Sequence, residues 1–155
     1  MPLPELRASA VVLGAHAADW RAAVVLAGEA LARSGAAKPG YADEMVRMIE
    51  EHGPYVVIAP GLALAHARPG PEVLAGGLAV VVLATPVAFG HPHNDPVSVV
   101  LGLATGSVDG HLESVAHLAN IFNDSTAVAQ LEAATTVDQV LAVMGENSAG
   151  GQTSA

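Results

Sequence analysis

The chain has 155 residues, 52% of them hydrophobic, and a net charge of −9 with its histidines neutral. That length supports one domain with a substantial core and is too short for two ordinary ones. Aromatics at 3% argue against a stacking platform for bases or sugars, and the few scattered cations argue against nucleic-acid binding; the lack of cysteine excludes disulfides, thiolate zinc sites and thiol nucleophiles.

The acidic balance suits solubility and docking to a basic partner. The first residues lack the charged-then-apolar order of a signal peptide. The longest apolar runs are broken by glycine or proline, short of the ~20 residues that span a bilayer. Together with the absence of cysteine, this is compatible with a cytoplasmic protein.

Residues 9–13 read as a short buried strand. Asp19 is placed to cap a helix through Arg33, with Ala22, Val25, Leu26, Ala30 and Leu31 near helical spacing. Ser34-Gly35 and Pro39-Gly40 separate it from a second helix over 42–51, whose apolar stripe is Met45, Met48 and Ile49. Residues 55–59 are β-rich and uniformly apolar, which predicts a strand covered on both sides. Pro60-Gly61 joins it to a short strand over 62–65, and Pro69-Gly70-Pro71 is a turn. Residues 78–83 carry the strongest strand signal, with Val80, Val81 and Val82 in succession. A polar loop over 90–96 leads to a strand over 97–103. Asp109-Gly110 then precedes a helix from His111 to about residue 122, followed by helices near 125–133 and 137–144. The expectation is a single α/β domain over residues 1–145, a mixed sheet with helices on both faces. The glycine- and serine-rich residues 146–155 are predicted to be a disordered tail. The alanine-rich apolar helices fit either the core or a homodimer face.

Seven histidines are the largest pool of reactive groups. His66 follows an apolar strand and precedes Arg68-Pro69. It reads either as a histidine bonded to a nearby carbonyl or as a neutral imidazole that attacks a phosphoryl or acyl centre. His111 lies near a helix N-terminus, where the dipole disfavours a charged ring and an anion is welcome. It suits a donor to a phosphoryl oxygen; the plainer alternative is a surface residue in a first turn. His117, six positions on, does not share its helical face. Arg47 is either a solvated helix cation or a bidentate clamp for a dianionic group. His91-Pro92-His93-Asn94-Asp95 suggests a metal site if the segment is extended, since alternate side chains then point the same way. A third protein ligand at usual spacing is missing, so a polar surface loop is the better account. No phosphate-binding glycine loop or serine nucleophile elbow is present.

The run Gly61-Leu62-Ala63-Leu64-Ala65-His66-Ala67-Arg68-Pro69 resembles the active-site segment of the mannitol/fructose-type EIIA domains of the bacterial phosphoenolpyruvate-dependent sugar phosphotransferase system, where the usual pattern is G-[IL]-A-[IL]-P-H-x. The resemblance runs from about residue 20 to 144. It takes in Tyr41 and Arg47, Pro86 through Gly90, Asn94-Asp95-Pro96-Val97 and Asp109-Gly110-His111-Leu112. It is strongest with the ascorbate-type branch, where A-P-G-[IL]-A-L-P-H-A-R-P and F-G-H-x-x-N-D-P-V are typical.

The resemblance implies a five-stranded mixed sheet flanked by helices on both faces. It implies that His66 is the phosphoryl acceptor, with His111 as the second active-site histidine and Arg47 as the nearby helix arginine. The donor would be phospho-HPr and the acceptor a cognate EIIB, which serves a membrane EIIC; no cofactor or metal is involved. Two other functions stay open: a regulatory protein of the same fold that binds partners by phosphorylation state, and a metal-dependent hydrolase built on His91, His93 and Asp95. The chain departs from the pattern at Ala65, where proline is usual. Alanine restores a backbone N–H and loosens φ, but the flanking strand and Pro69 are expected to keep His66 in place.

Overall fold

A computed structural model describes residues 4–148. In chain order the elements are β1 (Leu6–Ala15), α1 (Trp20–Arg33), α2 (Tyr41–His52), β2 (Val57–Ala59), β3 (Leu62–His66), β4 (Gly77–Val87), β5 (Val97–Ala104), α3 (Val108–Phe122), α4 (Ser125–Ala133) and α5 (Val137–Ser148). The strands form one sheet in the order β1-β4-β5-β3-β2. β1 runs parallel to β4 and β3 parallel to β5, whereas β4–β5 and β2–β3 are antiparallel. The predicted mixed five-stranded α/β architecture is therefore the one observed.

The sheet separates two apolar clusters. Ala23, Ala27, Ala30 and Leu31 of α1 and Met45 and Ile49 of α2 pack on one face. Leu118 and Ile121 of α3, Leu131 of α4 and Val140 and Met144 of α5 pack on the other. The small residues of α1 allow close approach. A Cβ added at Gly28 would lie 2.3 Å from the Ala42 Cβ, so the α1–α2 contact has no room for a side chain there.

Local capping explains most element boundaries. The Asp19 carboxylate accepts the Ala22 N–H at 2.9 Å and starts α1 where the sequence predicts. β1 and β4 both extend beyond the predicted 9–13 and 78–83, because each pairs along most of its length. The predicted strand over 55–59 shortens to Val57–Ala59. The Val57 N–H closes a turn onto the Pro54 carbonyl at 3.1 Å, leaving Tyr55 outside the ladder. β2 is also an edge strand with Ile58 exposed, rather than one covered on both sides. α5 continues through Ser148, so the tail expected from 146 begins as helix; residues 149–155 lie outside the described residues. Among the described residues no helix is long and apolar enough to cross a membrane.

Candidate active site

Strand alternation decides where His66 points. Ala63, Ala65 and Ala67 pack with α1 and α2, whereas Leu62 and Leu64 pack with α3, α4 and α5. With a side-chain period of two, His66 shares the face of Leu62 and Leu64. That face carries α3, and His111 meets His66 there, with ring centroids 4.8 Å apart and tilted by 50°. α3 starts three residues earlier than predicted. Ser107 caps it by accepting the Gly110 N–H at 3.0 Å, and the His111 N–H is already bonded to the Ser107 carbonyl at 3.0 Å. His111 is thus the fourth residue of the helix, still within its positive end.

The His66 tautomer follows from one bond. Nδ1 lies 2.9 Å from the Leu64 carbonyl oxygen, which can only accept, so Nδ1 carries the proton. In the neutral ring Nε2 then holds a free lone pair. Burial pushes the His66 pKa below its usual value; the Leu64 carbonyl opposes this, and His111 adds to the lowering. Burial also lowers the His111 pKa. The His111 Nδ1 is buried without a hydrogen-bond partner, so Nε2 is the nitrogen left for a ligand. Tyr55 packs edge-on against the His66 ring, with centroids 5.7 Å apart.

A cavity of about 750 Å³ is lined by His66 and His111 with Met48, His52, Tyr55 and Arg68. Met48 and His52 are one helical turn apart on α2. The neighbouring face of α2 carries Glu44, Arg47 and Glu51, which line a separate depression of about 280 Å³. The structure therefore brings His66 and His111 together and sets Arg47 next door. Arg68 belongs to both spaces. Among the described residues neither arginine makes an ion pair, although acidic side chains line the smaller depression. Arg68 lies within the run over 61–69, and nothing in its spacing there marks it for this cavity. The apolar run over 55–59 predicts a strand at Tyr55, which conceals its place beside His66.

Ala65 is fully buried and faces Gly102 in the ladder. Register continues through it to the His66–Leu103 pair, so β3 holds His66 without a preceding proline. One residue further, the buried Tyr41 hydroxyl accepts the Ala67 N–H at 3.0 Å and lies 2.8 Å from the Leu103 carbonyl.

The segment after Phe89 is not extended. The His91 Nδ1 accepts the N–H groups of His93 and Asn94 at 3.1 and 3.0 Å, which winds residues 92–94 into a turn. The Asp95 carboxylate accepts the N–H groups of Phe89, Gly90 and His91. These ligand atoms are occupied in shaping the loop. Among the described residues no group of three or more histidine, aspartate or glutamate side chains is placed to hold a metal.

The family described as the phosphoenolpyruvate-dependent sugar phosphotransferase system, EIIA 2, matches residues 6–147, and the chain belongs to it. Components of this family are phosphotransferases that carry a phosphohistidine intermediate, and the chain is a phosphoryl carrier of that system. The ascorbate-specific PTS system EIIA component of Shigella boydii is 34% identical over 138 residues, covering 88% of this chain and 90% of that one. Its counterpart in Escherichia coli K12 is 33% identical over the same length. The crystal structure of IIA mannitol from Escherichia coli superposes with a TM-score of 0.79 at 27% identity, covering 90% of this chain and 99% of that one. The enzyme IIA of the Escherichia coli mannitol system, solved in complex with phosphorylated enzyme IIB, gives a TM-score of 0.78 at 26% identity, over 91% and 97% of the two chains.

Proposed function

We propose that this chain accepts a phosphoryl group from phospho-HPr on Nε2 of His66 and passes it to a cognate EIIB in the cytoplasm. The observation that carries this reading is the Nδ1–H bond from His66 to the Leu64 carbonyl, beside His111 and a solvent-open cavity. That bond fixes the ring, commits its proton to Nδ1 and leaves Nε2 as the nucleophile. In the first half-reaction a P–N bond forms at Nε2 as the donor's P–N bond breaks. In the second half-reaction the P–Nε2 bond breaks as a P–S bond forms to a cysteine thiolate of EIIB, which serves the membrane EIIC, and His66 returns to the neutral imidazole.

The transition state is loose, with charge spread over three equatorial oxygens, so positioning and electrostatics supply most of the catalysis. In this reading the His111 Nε2–H donates to one of those oxygens. Arg68, unpaired and two residues past the acceptor, supplies the near cation. Arg47, in the adjoining depression, adds positive potential beside it. The donor already holds an activated P–N bond, so no nucleotide is required. The sugar of the ascorbate-specific relatives is the substrate class we assign to the system.

Incubation with phosphoenolpyruvate, enzyme I and HPr tests this directly. The intact mass should rise by one acid-labile phosphoryl group, and His66→Ala should abolish the increase. The phosphorylated chain should then discharge faster to an ascorbate-type EIIB than to a mannitol-type EIIB. Phosphate on another histidine, or equal discharge to both, would contradict the respective half of the reading.

A further inference from the structure

Tyr41 is fully buried, and its ring lies among apolar neighbours that a phenylalanine would satisfy equally well. The hydroxyl is what needs explaining. Its partners, the Ala67 N–H and the Leu103 carbonyl, stand at the end of the β3–β5 ladder, where Leu103 pairs with His66. Between parallel strands such an N–H and carbonyl would bond directly and form the next rung. Here the hydroxyl stands between them, accepting from one and donating to the other. The Ala67 carbonyl is also near, at 3.2 Å, but the single hydroxyl proton is better placed for Leu103 at 2.8 Å. Burial pushes the Tyr41 pKa up to about 12, so the proton stays on throughout the neutral range. The consequence is local. β3 stops at His66, and the chain from Ala67 to Pro69 leaves the sheet with Arg68 at the cavity.

We infer that the Tyr41 hydroxyl is a positioning group for phosphoryl transfer, which ends β3 at His66 and places Arg68 at the cavity by relaying the rung between Ala67 and Leu103. The inference rests on the reading of His66 as the acceptor. Tyr41 touches no reacting atom in this scheme; it acts through Arg68 and the backbone beside His66. Removing the hydroxyl leaves an N–H and a carbonyl to bond directly, or to go unsatisfied in a buried place.

Single-turnover transfer from phospho-HPr is measured for the wild type, Tyr41→Phe, Arg68→Gln, the double variant and His66→Ala. The phosphorylated end-point counts the competent molecules, so partial unfolding lowers the amplitude and leaves the rate constant of the folded fraction intact. Tyr41→Phe is expected to lower that rate constant between about 10- and 100-fold, the range of a small misplacement, with the KM for phospho-HPr little changed. Arg68→Gln is expected to slow transfer as well. In the double variant the two losses should fall well short of multiplying, because one residue works through the other. A wild-type rate constant in Tyr41→Phe, a wild-type rate constant in Arg68→Gln, or losses that multiply fully would each overturn the inference. Phosphorylation of His66→Ala, or none of the wild type, would instead overturn the reading of His66.

Discussion

A histidine that accepts a phosphoryl group near neutral pH has to be uncharged beforehand, and His66 and His111 are both arranged that way. Burial lowers both pKa values below the usual 6.5. The rate of acceptance should therefore be flat down through pH 6.5 and fall only in more acid solution, where His66 gains a proton. The same shifts act on stability. Between the unfolded value and the lowered folded values, the unfolded chain binds more protons, so stability rises with pH across that window and is lost as pH falls below about 6.5. A thermal melting series should show the midpoint dropping on acidification through this range, with a smaller drop in a His66→Gln/His111→Gln variant. A midpoint indifferent to pH there would refute the burial account. At this scale His66 and His111 stand out in the sequence as candidates, because each sits in a short local motif. The cavity that Arg68 shares with His66 and the bond from Ala67 to the Tyr41 hydroxyl, 26 residues away along the chain, could not be read there, since only the fold makes them.

Elements set how closely these residues can meet. α2 contributes to the cavity through one turn, and its position depends on the contact with α1 at Gly28 and Ala42. Alanine at position 28 would gain about 1 kcal/mol of helix propensity over glycine. The new Cβ would lie 2.3 Å from the Ala42 Cβ and 2.7 Å from its Cα, so the helices would have to move apart. Overpacking of that kind costs about 1–3 kcal/mol, and with backbone-anchored atoms on both sides it should win. Gly28→Ala is expected to lower the urea midpoint, and a raised midpoint would show that the helices separate freely. Helix positions are largely legible, because Asp19 and the breakers at Ser34-Gly35 and Pro39-Gly40 announce themselves locally. The missed boundaries share a cause. The Ser107 cap that starts α3 and the turn that frees Tyr55 are each made by one particular hydrogen bond. Composition and periodicity do not register a single bond.

Across the whole molecule the sheet is the common wall of two cores, with the histidine pair at one end of it. Trp20 packs with the α1–α2 cluster, so its fluorescence reports that side, whereas far-UV circular dichroism reports helices on both. β3, β4 and β5 each send alternate side chains into both cores, so neither core can dissolve alone. The two signals are expected to give coincident denaturation curves, as a single two-state domain does; separated midpoints would show two independent units. The mixed sheet and its flanking helices were legible because the alternation of apolar runs and helical stripes extends over the chain. The family resemblance then singled out His66 and His111 as candidates, which periodicity alone leaves ambiguous. The two-sided wall also constrains how such a chain can vary in length. Gly61, with a φ of +78°, turns the backbone into β3, and its N–H and carbonyl are tied to Asn94, Ser98 and Val99. Deleting or inserting one residue between this fixed turn and His66 would reverse the parity of the strand. The imidazole would then emerge among the alanines under α1 and α2, on the far side of the sheet from His111. The length of this run is therefore fixed: a change of one residue turns the imidazole to the wrong face, and a change of two keeps the face but carries it about 6.6 Å along the strand, away from His111.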